Sequence, residues 1–145
     1  MPPPAEEQPP FLNFAPLKNA SDTLKKSADH YASAVSRLKG ESAQDWSDRI
    51  TAINPRLIQI QRAFLTEKGL PERPWFKHQV YAPGAYTGYG AKPIAAVREY
   101  MDQKKWKEAE EQVPSVAKVV GDAAEAIDRA ATEIEKSLPA KTAKP

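Results

Sequence analysis

Two histidines, His30 and His78, and a tyrosine-rich stretch hold the side chains in this chain best suited to chemistry. An imidazole and a phenol that converge within hydrogen-bond reach can pass a proton, and His78 shares its stretch with Tyr89. Neither histidine has a second histidine or a clustered carboxylate at ligand spacing, so no metal site is expected. Cysteine is absent, which removes disulfides, thiolate ligands and thiol nucleophiles and leaves the redox compartment open. No nucleophile-elbow serine, phosphate-binding glycine loop or serine-histidine-aspartate order can be assembled. His30 adjoins Tyr31 on a segment with a polar outer face and reads as a solvated surface residue.

The stretch that carries His78 is PWFKHQVYAPGAYTGYG, Pro74 to Gly90. It is too aromatic for a solvated linker and too rich in proline and glycine for a helix. Connections as long as Gly69 to Lys92 are uncommon unless they are functional or disordered, and the aromatic content argues against disorder. Trp75, Phe76 and Tyr81 are expected to plug one end of a helical core, with Pro83 fixing an extended path and His78 bonding the loop backbone. Tyr86 and Tyr89, set among Thr87, Gly88 and Gly90, are expected to be presented outward for recognition, because glycines beside a ring let a partner approach closely.

The elements that must position this loop read as amphipathic helices. Leu17, Ala20, Leu24, Ala28, Tyr31, Val35 and Leu38 step by three and four along one face, and Gly40 offers a stop. A second helix begins at Ser42, with Asp45 placed for a capping box, and its stripe is Trp46, Ile50, Ile53, Leu57, Ile60 and Phe64. That stripe keeps phase across Pro55, which favours one kinked helix over a break with Asn54 as a new cap. A short third helix is expected from near Pro93 to Lys104 or Lys105, carrying Ile94, Val97 and Met101 inward. The last stripe, Val113, Val116, Val120, Ala123, Ile127, Ala130 and Ile134, runs through Pro114, with Glu125 and Arg129 ordered for an i,i+4 pair. The expected fold is all-α: a four-helix up-down bundle with a long ordered aromatic loop between the second and third helices. Residues 1–10 read as a proline-rich linker, 11–138 as the helical domain and 139–145 as a disordered tail, with Phe11, Phe14 and Leu17 capping one end of the bundle.

With 21 basic residues against 19 acidic ones, the net charge is +2 and the signs are interspersed, so nucleic-acid binding by a basic stripe is not expected. No apolar run approaches the roughly 18 residues of a membrane span, and MPPPAEEQPP lacks the basic and apolar regions of a signal peptide. No membrane partner is expected.

The segments NPRLIQIQRAFL, GLPERPWFKHQVYAPGAYTGYG and AVREY, followed by the long last helix, resemble the transferrin-receptor-like dimerisation domain, the C-terminal helical domain of the glutamate carboxypeptidase II and transferrin receptor family. The resemblance runs from about Phe11 to Leu138, and GLPxRPWFxHxxYAP followed by GY is its most specific part. It implies a helical bundle that mediates homodimerisation and lends a loop to the substrate pocket of a neighbouring zinc peptidase domain. Tyr89 matches the tyrosine that, in the glutamate-specific members, bonds the carboxylate of the substrate's C-terminal residue. The lysine and asparagine that precede it there are Gly88 and Thr87 here, which removes the electrostatic basis for choosing acidic side chains. Ala95 and Ala96 stand where members often have a proline-glycine pair.

The zinc ligands and general base of the family lie in its peptidase domain, which nothing in this chain resembles. The resemblance therefore implies a non-catalytic accessory domain separated from a larger bacterial-type peptidase, without a cofactor of its own, whose parent holds zinc and is secreted or periplasmic. Its partners would be a second copy and the peptidase domain. Two other readings compete: a free-standing helical module that binds through the aromatic loop, and an enzyme using His78 and Tyr89 as acid and base.

Overall fold

The computed structural model describes residues 8–38, 42–86, 88 and 90–138. Residues 1–7, 39–41, 87, 89 and 139–145 lie outside these, and with them most of the expected linker, the Gly40 helix stop, the tail and two of the expected loop-tip residues, Thr87 and Tyr89. Four helices, α1 (Ala15–Ser36), α2 (Ala43–Ala63), α3 (Ala95–Asp102) and α4 (Trp106–Ser137), account for most of the described chain. The all-α expectation needs a correction: β1 (Tyr81–Pro83) and β2 (Ala91–Pro93) pair antiparallel between α2 and α3. Pro93 therefore ends a strand, and α3 starts two residues later than expected. Ile94 bridges the two at φ 44°, a left-handed conformation that crowds a β-branched side chain. Its N–H donates to the Val80 carbonyl and its own carbonyl accepts from Val97 and Arg98, so neighbouring bonds hold it there.

Helix boundaries follow local chemistry. The Ser42 hydroxyl donates to an Asp45 carboxylate oxygen at 2.6 Å and accepts the Asp45 N–H at 3.2 Å, as the capping pattern requires. Pro55 and Pro114 lie inside continuous helices, so α2 is one helix and the Asn54 cap is not used. Both prolines are exposed, where water can satisfy the carbonyls that lose their N–H donors. At the start of α1, the Asn13 carboxamide oxygen accepts the Ala15 N–H, and the Asn13 N–H donates to Glu110 of α4 at 2.8 Å.

The core is built on α4. Its buried residues are Ala109, Val113, Val116, Val119, Val120, Ala123, Ala124, Ala126, Ala130, Ala131 and Ile134. Among the described residues, α1, α2 and α3 each run close along α4, and Ala34, Leu38 and Ile53 gather with Ala131 and Ile134 in one cluster. Contacts between α1 and α4 join Asn13 to Glu110, His30 to Asp128 and Arg37 to Glu135, pairs that keep a nearly constant separation of 97 or 98 residues. A constant difference means that the two helices run parallel. Contacts between α2 and α4 join Arg49 to Ser137 and Arg56 to Glu133, so the partner index falls as the other rises and α2 is antiparallel. The up-down expectation is thereby corrected: a simple up-down bundle would set its first and last helices antiparallel.

The helix stripes need smaller corrections. Phe14 and Leu17 join the cluster around Val113 and Val116, but Phe11 is 89% exposed and caps nothing. On α1, Ser27 and Ala34 are buried while Ala28 faces solvent, because the contact line on α4 drifts around α1. Among the described residues of α2 only Ile53 is fully buried. Trp46 lies a turn before Arg49, which already contacts the last residue of α4, so its ring overhangs the end of that helix and stays exposed.

His30 joins α1 to α4. Its Nδ1 is 2.7 Å from an Asp128 carboxylate oxygen and its Nε2 is 3.2 Å from one of Glu135. Carboxylates only accept, so satisfying both contacts takes the doubly protonated ring. Hydrogen bonds to Asp128 and then Glu135 raise its pKa above 6.5. A raised folded-state value means that the stabilisation is complete below pH 6.5 and is lost as pH rises through that raised value. Arg37 also bonds Glu135, at 3.3 Å. Thermal melts of the native chain and of His30→Gln should therefore converge as the pH rises past neutrality, and a difference in Tm that is independent of pH would contradict the charged clamp.

Candidate functional site

The connection from α2 to α3 folds back on itself in two steps. Thr66 N–H donates to the Lys77 carbonyl at 3.0 Å and Gln79 N–H to the Phe64 carbonyl at 2.9 Å. The buried Gln79 carboxamide donates to the Thr66 hydroxyl and to the Lys77 carbonyl, so no polar group is stranded inside the turn. Within this ladder, GLPERPWF forms a tight loop: Leu70 N–H donates to Phe76, Arg73 N–H to Leu70 and Phe76 N–H to Arg73. Gly69 has φ 68°, and a Cβ there would run into the carbonyl of Pro74. Leu70 drives this turn into a cluster with Ala82, Ala95 and Ala96, which fastens the loop to the first turn of α3.

The second step is the β1–β2 hairpin, in which Tyr81 faces Pro93, Ala82 faces Lys92 and Pro83 faces Ala91. Gly84 N–H donates to the Gly90 carbonyl and Gly88 N–H to the Gly84 carbonyl, which closes the tip. Gly88 takes φ 64° with open space around it, so it meets no obstacle and presents no side chain.

Arg73 and Glu99 tie the two steps together. The Arg73 guanidinium donates to a Glu99 carboxylate oxygen at 2.6 Å and to the Pro83 carbonyl at 2.7 Å, and it stacks over Phe76 at 5.1 Å. The same Glu99 oxygen accepts the Ala85 N–H at 2.9 Å. The two side chains are only 13% and 11% exposed. One buried pair therefore joins the turn, the end of β1, the hairpin tip and α3. Sequence patterns offered no sign of it beyond an arginine between two prolines, because Glu99 lies far along the chain and its partner is chosen by folding.

His78 is built into the wall. Its Nδ1 accepts the N–H groups of Val80 and Tyr81 at 3.2 and 3.3 Å, which leaves the neutral ring's proton on Nε2. The ring stacks on Phe64, with centroids 5.5 Å apart, and packs beside Tyr81 at 4.3 Å. Burial lowers its pKa below 6.5, so the imidazole is neutral at physiological pH.

The expected plug of aromatic rings takes a different form. Phe76 is half-buried, but Trp75 is 68% exposed and Tyr81 is also exposed, so neither closes the end of the core. Instead, with Leu65, His78, Pro83, Gly88, Gly90 and other neighbours, they line an open groove of about 510 Å³ beside the hairpin. Trp75 and Tyr81 thus keep exposed rings, while Phe76 also packs against the cluster of Leu70, Ala82, Ala95 and Ala96. Tyr86 is 77% exposed at the tip, while Thr87 and Tyr89 lie outside the described residues. The structure thus brings Trp75, Phe76, His78, Tyr81, Pro83, Gly88 and Gly90 to one groove. Tyr86 is not among the residues that line it. Among the described residues, no three histidine, cysteine or acidic side chains converge to hold a metal, and no helix is long and apolar enough to cross a membrane.

Comparison with known proteins places these features in context. The family model described as the transferrin receptor-like dimerisation domain matches residues 12–128. Similar curated proteins include the probable glutamate carboxypeptidase LAMP1 of Arabidopsis thaliana, 30% identical over 75% of this chain. A probable glutamate carboxypeptidase of Arthroderma benhamiae is 28% identical over 64% of it. The probable glutamate carboxypeptidase AMP1 of Arabidopsis thaliana is 34% identical over 51%. The aligned parts span only 16%, 12% and 11% of those proteins.

Two substitutions probe how the loop is held. Arg73→Met leaves Glu99 buried without its cation and should cost about 3 kcal/mol, whereas the double variant Arg73→Met/Glu99→Leu should recover part of that loss; urea denaturation of the set measures both. Gly69→Ala should cost about 2 kcal/mol through the left-handed φ and the clash with Pro74. An unchanged urea midpoint for that variant would mean that the turn adopts another backbone path.

Proposed function

Because the chain belongs to the transferrin receptor-like dimerisation domain family, we propose that it serves as the non-catalytic dimerisation and pocket-completing module of a zinc-dependent exopeptidase of the glutamate carboxypeptidase type. The family match across residues 12–128 carries this reading. Chemistry would belong to a peptidase domain that supplies the zinc and the general base. The module's part is to pair with a second copy and to hold a loop against that domain's substrate pocket.

Two surface features support the proposal. Exposed Trp46 and Ile58 on α2, with Leu65 just beyond it, are larger apolar groups than a helix facing only water needs, and such surface is covered readily by association. A pair formed about a two-fold axis would set the same surface of each copy against the other. The hairpin tip, anchored through Arg73 and Glu99, is rigidly based yet open to a neighbour, as a loop shared between domains must be.

Sedimentation equilibrium of the chain over a wide concentration range tests the dimerisation part. A mass that rises from monomer to dimer is expected, and Trp46→Lys/Ile58→Lys should shift the equilibrium to monomer. A monomer at every concentration would overturn self-association through this module.

A further inference from the structure

We propose that Glu99 is a positioning residue for the hairpin tip: one oxygen of its buried carboxylate, more than the charge it carries, fixes the tip against α3. The inference rests on the reading that this loop is held toward a neighbouring domain, and it names the group that sets the loop's position.

The hairpin has little of its own to hold it in place. Each strand has three residues, and the two outer pairs, Tyr81 with Pro93 and Pro83 with Ala91, each include a proline with no N–H to give the ladder. A two-stranded ribbon this short is marginal without support from outside. Among the described residues, the tip's backbone bonds, from Gly84 N–H to Gly90 and from Gly88 N–H to Gly84, stay within the hairpin. Ala85 N–H leaves it and donates at 2.9 Å to Glu99 of α3. Tyr86 follows directly in the chain, so the attachment sits beside an exposed ring.

Both of these contacts of the carboxylate use the same atom. Glu99 Oε1 accepts Ala85 N–H and, at 2.6 Å, the Arg73 guanidinium, whose other terminal nitrogen donates to the Pro83 carbonyl at 2.7 Å. Burying an ion pair carries a desolvation cost that offsets much of its attraction, so apolar side chains of similar volume can replace such a pair with little loss of stability. Apolar side chains cannot supply an acceptor for Ala85 or a donor for Pro83, and those two bonds hold the backbone on either side of Gly84. A glutamine at position 99 would keep an oxygen where Oε1 stands and lose only the charge. Stability and tip position are therefore separable by substitution.

The experiment is amide hydrogen exchange of the isotopically labelled chain, followed by nuclear magnetic resonance at Ala85 and at Val119 and Ala123 in the buried face of α4, with urea denaturation of the same proteins. In Arg73→Met/Glu99→Leu, Ala85 should lose at least about tenfold more protection than Val119 and Ala123, which report on opening of the core. In Glu99→Gln, Ala85 should lose no more protection than those two, although the urea midpoint falls. Ala85 protection that survives in the double variant, or that falls as far in Glu99→Gln as in the double variant, would overturn the role of Glu99 while leaving the module reading in place. Failure of that reading shows separately, as a monomer in sedimentation, and does not alter the exchange of Ala85.

Discussion

Helix α4 presents one continuous apolar face, and α1, α2 and α3 are all held by burying their own apolar residues on it. Each of its buried valines contributes about 1.5 kcal/mol or more by leaving water. The exposed pairs Lys18–Asp22 and Lys118–Asp122 add only a few tenths each. Burial on α4 therefore fixes where the other helices lie, and ion pairs adjust the register. Small residues make close approach possible where α1 and α4 meet, with Ser27 and Ala34 buried on one helix and Ala130 and Ala131 on the other.

The loop obeys a second constraint. A long connection has few apolar contacts of its own, so its shape depends on polar groups that must be paired once they are buried. Arg73, Glu99 and Gln79 meet that need by bonding backbone groups at several points. The result is an ordered base under an exposed rim, in which Leu70 and Phe76 face inward while Trp75 and Tyr81 face solvent. This division lets a domain too small for a deep pocket still offer a shaped surface to a neighbour.

The same geometry links the two parts of the proposed function. Leu65 belongs to the exposed apolar surface just beyond α2 and also lines the groove, so the two surfaces adjoin.

Much of this protein is local, and what is local was legible in the chain. The stripe of α4 persisted through Pro114, α2 ran unbroken through Pro55, and the Ser42–Asp45 cap formed as the residue types require, because each depends on neighbours a few positions apart. The family motif around GLPERPWFKHQVYAP was equally plain. Only the tertiary structure decided the rest. The parallel pairing of α1 with α4, the meeting of Arg73 with Glu99, the left-handed Ile94 and the β1–β2 hairpin all depend on partners distant in sequence or on the path imposed by packing. Periodicity likewise marked Trp46, and aromatic content marked Trp75, as inward-facing, yet both are exposed: α4 ends beneath one, and the other lines the open groove. A sequence pattern says which face of an element is apolar; whether anything arrives to cover that face is settled by the length and placement of the other elements.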